Sequence, residues 1–224
     1  MKIDYFAHDR VYRLKRQRGY SGWDTPQQDD VNFEHILRLL HGIDIPSSPS
    51  GLELGCGNGN VTLRFSQAGW RMHGVDISPA AIAWAKENAQ SLELDAEFHL
   101  ADIVRGYKLP IEPVDAIIDG HCLHCIIGYD RAAFFAFAGM HVKKGGYLLV
   151  DTMCGDPWMD EAKRHFDRTT RCIVYDNIAA RYLGRPDDIL KEVADAGFMV
   201  LTSEMIEASQ PDDQHTLLAI ARRG

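Results

Sequence analysis

At 224 residues, 46% of them hydrophobic, the chain is long enough to bury a full core and reads as one domain. A formal net charge of −8 argues against a nucleic-acid surface, which needs clustered basic side chains. The longest apolar block, Ala132 to Ala138, is too short to span a bilayer, and Met1-Lys2-Ile3-Asp4-Tyr5 is too charged for a signal peptide. A cytoplasmic protein whose five scattered cysteines stay reduced is therefore expected. Residues 1–30 are polar and aromatic, with Tyr12, Tyr20 and Trp23 among Arg and Lys. Val31, Phe33, Ile36, Leu37, Leu39 and Leu40 then show helical spacing, and Ile45-Pro46-Ser47-Ser48-Pro49-Ser50 is a linker dense in breakers. From Gly51 short apolar runs alternate with helical stretches, the pattern of parallel strands with crossover helices. Strands are expected at 51–54, 71–75, 96–100, 114–118 and 147–151, and helices at 61–68, 79–89 and 131–141. Ser78 is the N-cap of the second of these helices, with Pro79 in its first turn. Residues 153–185 carry little pattern but an aromatic and basic cast, including Trp158, Arg171, Tyr175, Arg181 and Tyr182. A helix at 186–196 stopped by Gly197, a strand at 198–206, a turn at Pro211-Asp212-Asp213 and a strand at 215–221 close the chain.

The informative stretch is Gly51-Leu52-Glu53-Leu54-Gly55-Cys56-Gly57-Asn58-Gly59-Asn60. Its alternating glycines allow a sharp turn that lays backbone against a ligand. Asp76 ends the next apolar run, and an acid at that distance from a glycine turn suits ribose hydroxyls. A dinucleotide fingerprint starting at Gly55 would need its third glycine where Asn60 stands, and no Gly-Lys-Ser/Thr follows for a phosphate loop. Glu53 suits a cationic ligand better than a pyrophosphate.

Glu53-Leu-Gly-Cys-Gly-Asn-Gly59 together with Val75-Asp76-Ile77-Ser78 resembles motifs I and II of class I S-adenosylmethionine-dependent methyltransferases. The resemblance covers residues 50–150 well and 186–224 moderately. It implies an α/β, Rossmann-like fold: a seven-stranded, mostly parallel sheet with a reversed C-terminal hairpin and helices on both faces. The two closing strands resemble the reversed sixth and seventh strands of that fold. The resemblance also implies S-adenosyl-L-methionine as cofactor and S-adenosyl-L-homocysteine as product. Gly55, Cys56 and Gly57 would then pass the methionine part, near Glu53, and Asp76 would bind both ribose hydroxyls. Ile77 would pack on the adenine, Asp102 would meet its amine, and Ile103 would offer a backbone N–H. Asp119, with Gly120, falls where the family's fourth motif meets the cofactor's amino group; its other reading is a carboxylate that caps a loop. Gly22-Trp23-Asp24-Thr25-Pro26 is similar to the segment that folds back over the cofactor in thiopurine-type enzymes. Trp23 reads either as part of such a lid or as a hydrophobic anchor. Residues 1–49 are accordingly an N-terminal helical or lid segment, 50–224 the methyltransferase domain, and 153–185 a substrate cap for a small aromatic or anionic molecule.

For an acceptor that must lose a proton, His121 is the first candidate for general base, since an imidazole titrates near neutrality. His124 sits where this family often starts a helix with a histidine. The His–Cys cluster at 121–125 lacks a C-x-x-C pair, and Thr152 stands where metal-dependent relatives place Asn, so no metal is expected. Asp119-Gly-His-Cys replaces the Asn/Asp-Pro-Pro-Tyr of enzymes that methylate bases or amides, which points to a small-molecule acceptor, no nucleic acid and no membrane. The alternatives are a nicotinamide-dependent oxidoreductase and a non-catalytic cofactor-binding regulator.

Overall fold

The computed structural model describes residues 1–211 and 213–224, so the centre of the expected turn, Asp212, lies outside the described residues. The chain opens with a two-residue strand β1 (Lys2–Ile3) and helices α1 (Ala7–Gln17) and α2 (Pro26–Leu40). The alternating part follows: β2 (Ser50–Leu54), α3 (Asn60–Gln67), β3 (Arg71–Asp76), α4 (Pro79–Ser91), β4 (Ala96–Leu100) and β5 (Val114–Gly120). A single 3-10 turn at Leu123–Cys125 leads to α5 (Asp130–His141) and β6 (Val142–Met153). Then come α6 (Asp160–His165), β7 (Phe166–Asp167), β8 (Cys172–Tyr175) and β9 (Ile178–Tyr182), followed by α7 (Pro186–Asp195), β10 (Phe198–Ile206) and β11 (Thr216–Arg223).

Seven strands form one sheet in the order β10-β11-β6-β5-β2-β3-β4. The five strands from β4 to β6 are parallel, and β11 runs antiparallel to both of its neighbours. Two reversals restore the direction, so β10 runs with the parallel strands and β11 is the reversed strand of the C-terminal hairpin. Side chains alternate across the sheet. Ile117 and Leu148 pack with Phe134, Phe137, Ile189 and Val193 on one face. Ile118 and Leu149 pack with Ile36, Leu39 and Phe65 on the other. Helices thus cover both faces. Chain order reverses between β2 and β5, and the crevice beyond the carboxyl ends of these strands is where an open α/β sheet takes a ligand.

Three features were not anticipated. Helix α1 lies where only polar and aromatic character was legible. Helix α2 starts five residues before Val31, because Thr25 and Gln28 form a reciprocal capping box ahead of Pro26. Residues 153–185 fold as a second sheet, β1-β9-β8-β7, to which the first residues of the chain add a parallel strand. Among the described residues, no helix is long and apolar enough to cross a membrane.

Candidate functional site

The glycine bend is held by its own backbone. Gly55 and Cys56 N–H groups donate to Val75 O at 2.8 and 3.0 Å, and Gly59 N–H donates to Cys56 O at 2.8 Å. Gly55, Gly57 and Gly59 have φ of +69°, +55° and +86°, a region that costs any residue with a Cβ. Space is also closed to side chains: a Cβ on Gly55 would stand 2.6 Å from Cys122 Sγ, and one on Gly57 would overlap the Tyr12 hydroxyl. Asp76 locks the bend to the next strand by accepting from Gly57 N–H at 3.0 Å and Ser78 N–H at 2.8 Å. Burial raises its pKa, and those two hydrogen bonds oppose the rise.

Beside the bend, Glu53 accepts from Thr62 N–H at 2.8 Å and Thr62 Oγ1 at 2.5 Å. Burial, aided by the charges of Asp76 and Asp119, pushes it up to about 8 against the Thr62 bonds. Asp119 is fully buried and behind the cleft wall. Its Oδ1 accepts from Cys122 and Leu123 N–H groups at 2.9 and 2.8 Å, so it caps the turn that presents His121. Among the described residues its Oδ2 has no partner, and burial raises the group to about 7. The loop-capping reading of Asp119 is the one the geometry favours over contact with a cofactor.

One cleft collects Glu53, Gly55, Cys56, Gly57, Asp76, Ile77, Asp102, Ile103 and Gly120 on one side. Its other side carries His121, His124, Cys125, Met153 and Arg181, under a roof of Tyr5, His8, Tyr12, Trp23 and Asp24. The roof is anchored. Asp9 Oδ1 accepts from Ser78 Oγ and Ala80 N–H, both at 2.9 Å, placing a carboxylate at the N-terminus of α4. Asn58 Nδ2 donates to Ser21 O at 3.1 Å and Asn60 Nδ2 to Asp29 Oδ2 at 2.6 Å. Trp23 packs at 5.1 Å on Tyr12, which carries it over the bend. Asp102 is steadied by Val104 N–H at 3.1 Å.

His121 departs most from expectation. It sits at φ +69°, unusual for a residue with a Cβ, and is fixed twice to one residue. Its N–H donates to Asp151 O, and its Nε2 meets Asp151 Oδ1, each at 3.0 Å. Burial alone would lower the imidazole, but the Asp151 carboxylate carries it up to about 9. His35 Nδ1 lies 3.4 Å from the other Asp151 oxygen. The Asp151 carboxylate thus favours the imidazolium of His121, which weighs against its serving as a free base. His124 is buried with its Nδ1 at 3.4 Å from both Thr152 Oγ1 and Met153 N, and burial lowers its pKa.

Sequence reasoning missed the group around Cys125. Burial would raise this thiol, yet Arg181, His124 and His8 bring it well below the usual value. His8 comes from α1 and Arg181 from β9, with 3.4 Å between His8 Nε2 and Arg181 Nη1. Residues so far apart in the chain leave no local signal of their meeting.

Residues 52–146 match the family model described as a methyltransferase domain. A 23S rRNA (uracil(1939)-C(5))-methyltransferase of Francisella tularensis is 26% identical over 148 residues, covering 56% of this chain and 33% of its own. The chain thus spans about a third of the length of that curated relative. Among solved structures, magnesium protoporphyrin IX methyltransferase from Synechocystis with bound S-adenosylhomocysteine aligns with a TM-score of 0.66 at 18% identity, over 99% of this chain and 97% of that one. The 1,6-didemethyltoxoflavin-N1-methyltransferase of Burkholderia thailandensis aligns with a TM-score of 0.69 at 17% identity, over 100% and 92%. Residues 52–146, which carry the glycine bend and Asp76, thus match a methyltransferase domain, and the whole chain shares the fold of these solved methyltransferases.

Proposed function

We propose that the chain transfers a methyl group from S-adenosylmethionine to a small anionic acceptor. The observation that carries this reading is a single cleft in which a Cβ-free bend and Asp76 face a wall bearing His121, Cys125 and Arg181. The bend suits the cofactor because Gly55 and Gly57 turn at positive φ and present backbone to the cleft they line. When bound, S-adenosylmethionine supplies an electrophilic methyl on a sulfonium whose charge the transfer discharges. Gly55, Cys56 and Gly57 would pass the methionine part, with Glu53 and Gly120 near its ammonium, and Asp76 would accept from the ribose. Ile77, Asp102 and Ile103 would hold the adenine, and Trp23 and Tyr12 would close the outside against water.

The chain's work is then mainly positioning, which alone is worth ~7 kcal/mol or more in well-oriented reactions. Protonated His121 would hold an acceptor that already carries negative charge, with Arg181 supplying the second cation from the cap. His124, on the same wall, lies against Thr152 and Met153. A role for His121 as general base would require the minor, deprotonated form at neutral pH.

The reading is tested in two steps. Calorimetry should give binding of S-adenosylhomocysteine and none of NADH. Transfer of labelled methyl should then be followed from S-adenosylmethionine to carboxylates, phenols, thiols, amines and an rRNA transcript, with turnover expected among the anionic small molecules. A ribosomal RNA acceptor is the second reading, suggested by the curated relative and opposed by the charge of −8. Labelling of the transcript alone would establish it. Cofactor binding without turnover of any acceptor would favour a regulator. The pH profile tests His121: an imidazolium that holds an anion gives a rate that falls as pH rises through about 9. A base gives a rate that climbs to a plateau there.

A further inference from the structure

Away from the cleft, the edge of the sheet brings two histidines and a glutamate together. His73 lies on β3 directly opposite Glu97 on β4, and His99 follows two residues later, so strand alternation puts all three on one face. His73 Nδ1 and His99 Nε2 are 3.3 Å apart. Glu97 Oε2 stands 3.7 Å from the first and 4.0 Å from the second. A circle through a triangle with those sides has a radius of about 2.1 Å, so one point lies at zinc-ligand distance from all three donors at once. A direct ring-to-ring hydrogen bond would use one lone pair and one N–H and would leave Glu97 without a role.

We propose that His73, Glu97 and His99 bind a divalent first-row transition ion of the zinc class. Two imidazoles and one carboxylate are the donor set such ions prefer, whereas magnesium and calcium want oxygen alone. Three protein ligands also leave a position for water, and the exposure of Glu97 leaves the ion an entry path. The ion would clasp the edge strand β4 to β3. Both strands run into acid-bearing turns, at Asp76 and Asp102, so the clasp sits beneath the adenosine side of the cleft without touching it. The site stands on its own residues, whether or not the acceptor reading holds.

The test uses the full chain free of any histidine tag. Titration with Co²⁺ should produce one equivalent of visible d–d absorption without a thiolate charge-transfer band, and Zn²⁺ should displace it. Zn²⁺ should also raise the melting temperature. The His73→Asn/His99→Asn double variant should lose the absorption and the thermal shift, and Glu97→Gln, exposed and harmless to folding, should weaken binding several-fold. His165→Asn should change nothing. Failure of the wild-type chain to take up micromolar Co²⁺, or an unchanged signal in both the double variant and Glu97→Gln, overturns the site. A thiolate band would move the ion to the cysteines and overturn it equally.

Discussion

Gly57 separates backbone strain from ligand access. Its φ of +55° disfavours a Cβ by about 1–2 kcal/mol, and the space that Cβ would need is held by the Tyr12 hydroxyl. Gly69 has φ of +90° with nothing within 4 Å of its would-be Cβ. Gly57→Ala and Gly69→Ala should therefore both lose some melting temperature. Only Gly57→Ala should also weaken S-adenosylhomocysteine binding, by tenfold or more in calorimetry. Equal affinities in the two variants would remove the bend from the cofactor site. This much was legible at the residue scale, because a backbone that must approach a ligand is written locally as glycine. The contact of His121 with Asp151 was not legible, because Asp151 lies thirty residues on, near the end of the neighbouring strand. Asp119 shows the same limit: its place in the motif was plain, but whether its carboxylate faced the cleft or the turn depended on the path of Cys122 and Leu123.

Among elements, the alternating core was the readable part and the cleft's roof was not. Strands β2, β5 and β6 bury most of their residues on both faces, so their apolar runs announce them. Helix α1 buries only Tyr12 and covers a cleft instead of a core, so it shows no apolar stripe of the usual width. Strands β7 to β9 are short, and β9 takes its outer partner from the opposite end of the chain. That pairing brings His8 and Arg181 to Cys125. Among the described residues Arg181 Nη1 donates to Ala180 O at 2.7 Å and lies 3.4 Å from His8 Nε2, while the side chain lines the cleft where a ligand anion would meet it. A hydrogen bond to a charged group is worth about 1.5–3 kcal/mol, so Arg181→Ala should raise KM for an anionic acceptor by roughly tenfold or more. The affinity for S-adenosylhomocysteine should stay the same, and Arg181→Lys should recover part of the loss. The same change removes the main cation from Cys125, so iodoacetamide should label that thiol more slowly at neutral pH. An unchanged KM together with unchanged labelling would place Arg181 outside the cleft's chemistry.

Across the whole molecule, the buried acids and His121 make stability depend on pH in one direction. Glu53 moves from 4.5 to about 8 on folding, Asp119 from 3.8 to about 7, and His121 from 6.5 to about 9. Within each interval the folded chain keeps a proton that the unfolded chain has lost, so stability falls as pH rises. For His121 the contribution is complete below 6.5 and gone once pH passes about 9; for the two acids the growing cost is that of ionising a buried carboxyl. Asp151, held low, matters only in acid, whereas Cys125 and His73, His99, His124 and His141, all held low, oppose the trend up to neutrality. The cofactor-free protein should therefore lose melting temperature between pH 7 and pH 9, above the range in which the lowered histidines act. A cation placed beside Glu53 offsets the cost of its charge, and the ammonium of S-adenosylhomocysteine would be such a cation. The thermal shift produced by saturating S-adenosylhomocysteine should accordingly grow between pH 5 and pH 8 in the wild type. Glu53→Gln has no charge to stabilise, so its shift should stay level over that range while its cofactor-free melting curve flattens. Melting by differential scanning fluorimetry across the series decides the matter. A wild-type shift that shrinks with pH would mean that Glu53 does not face the cofactor's positive end.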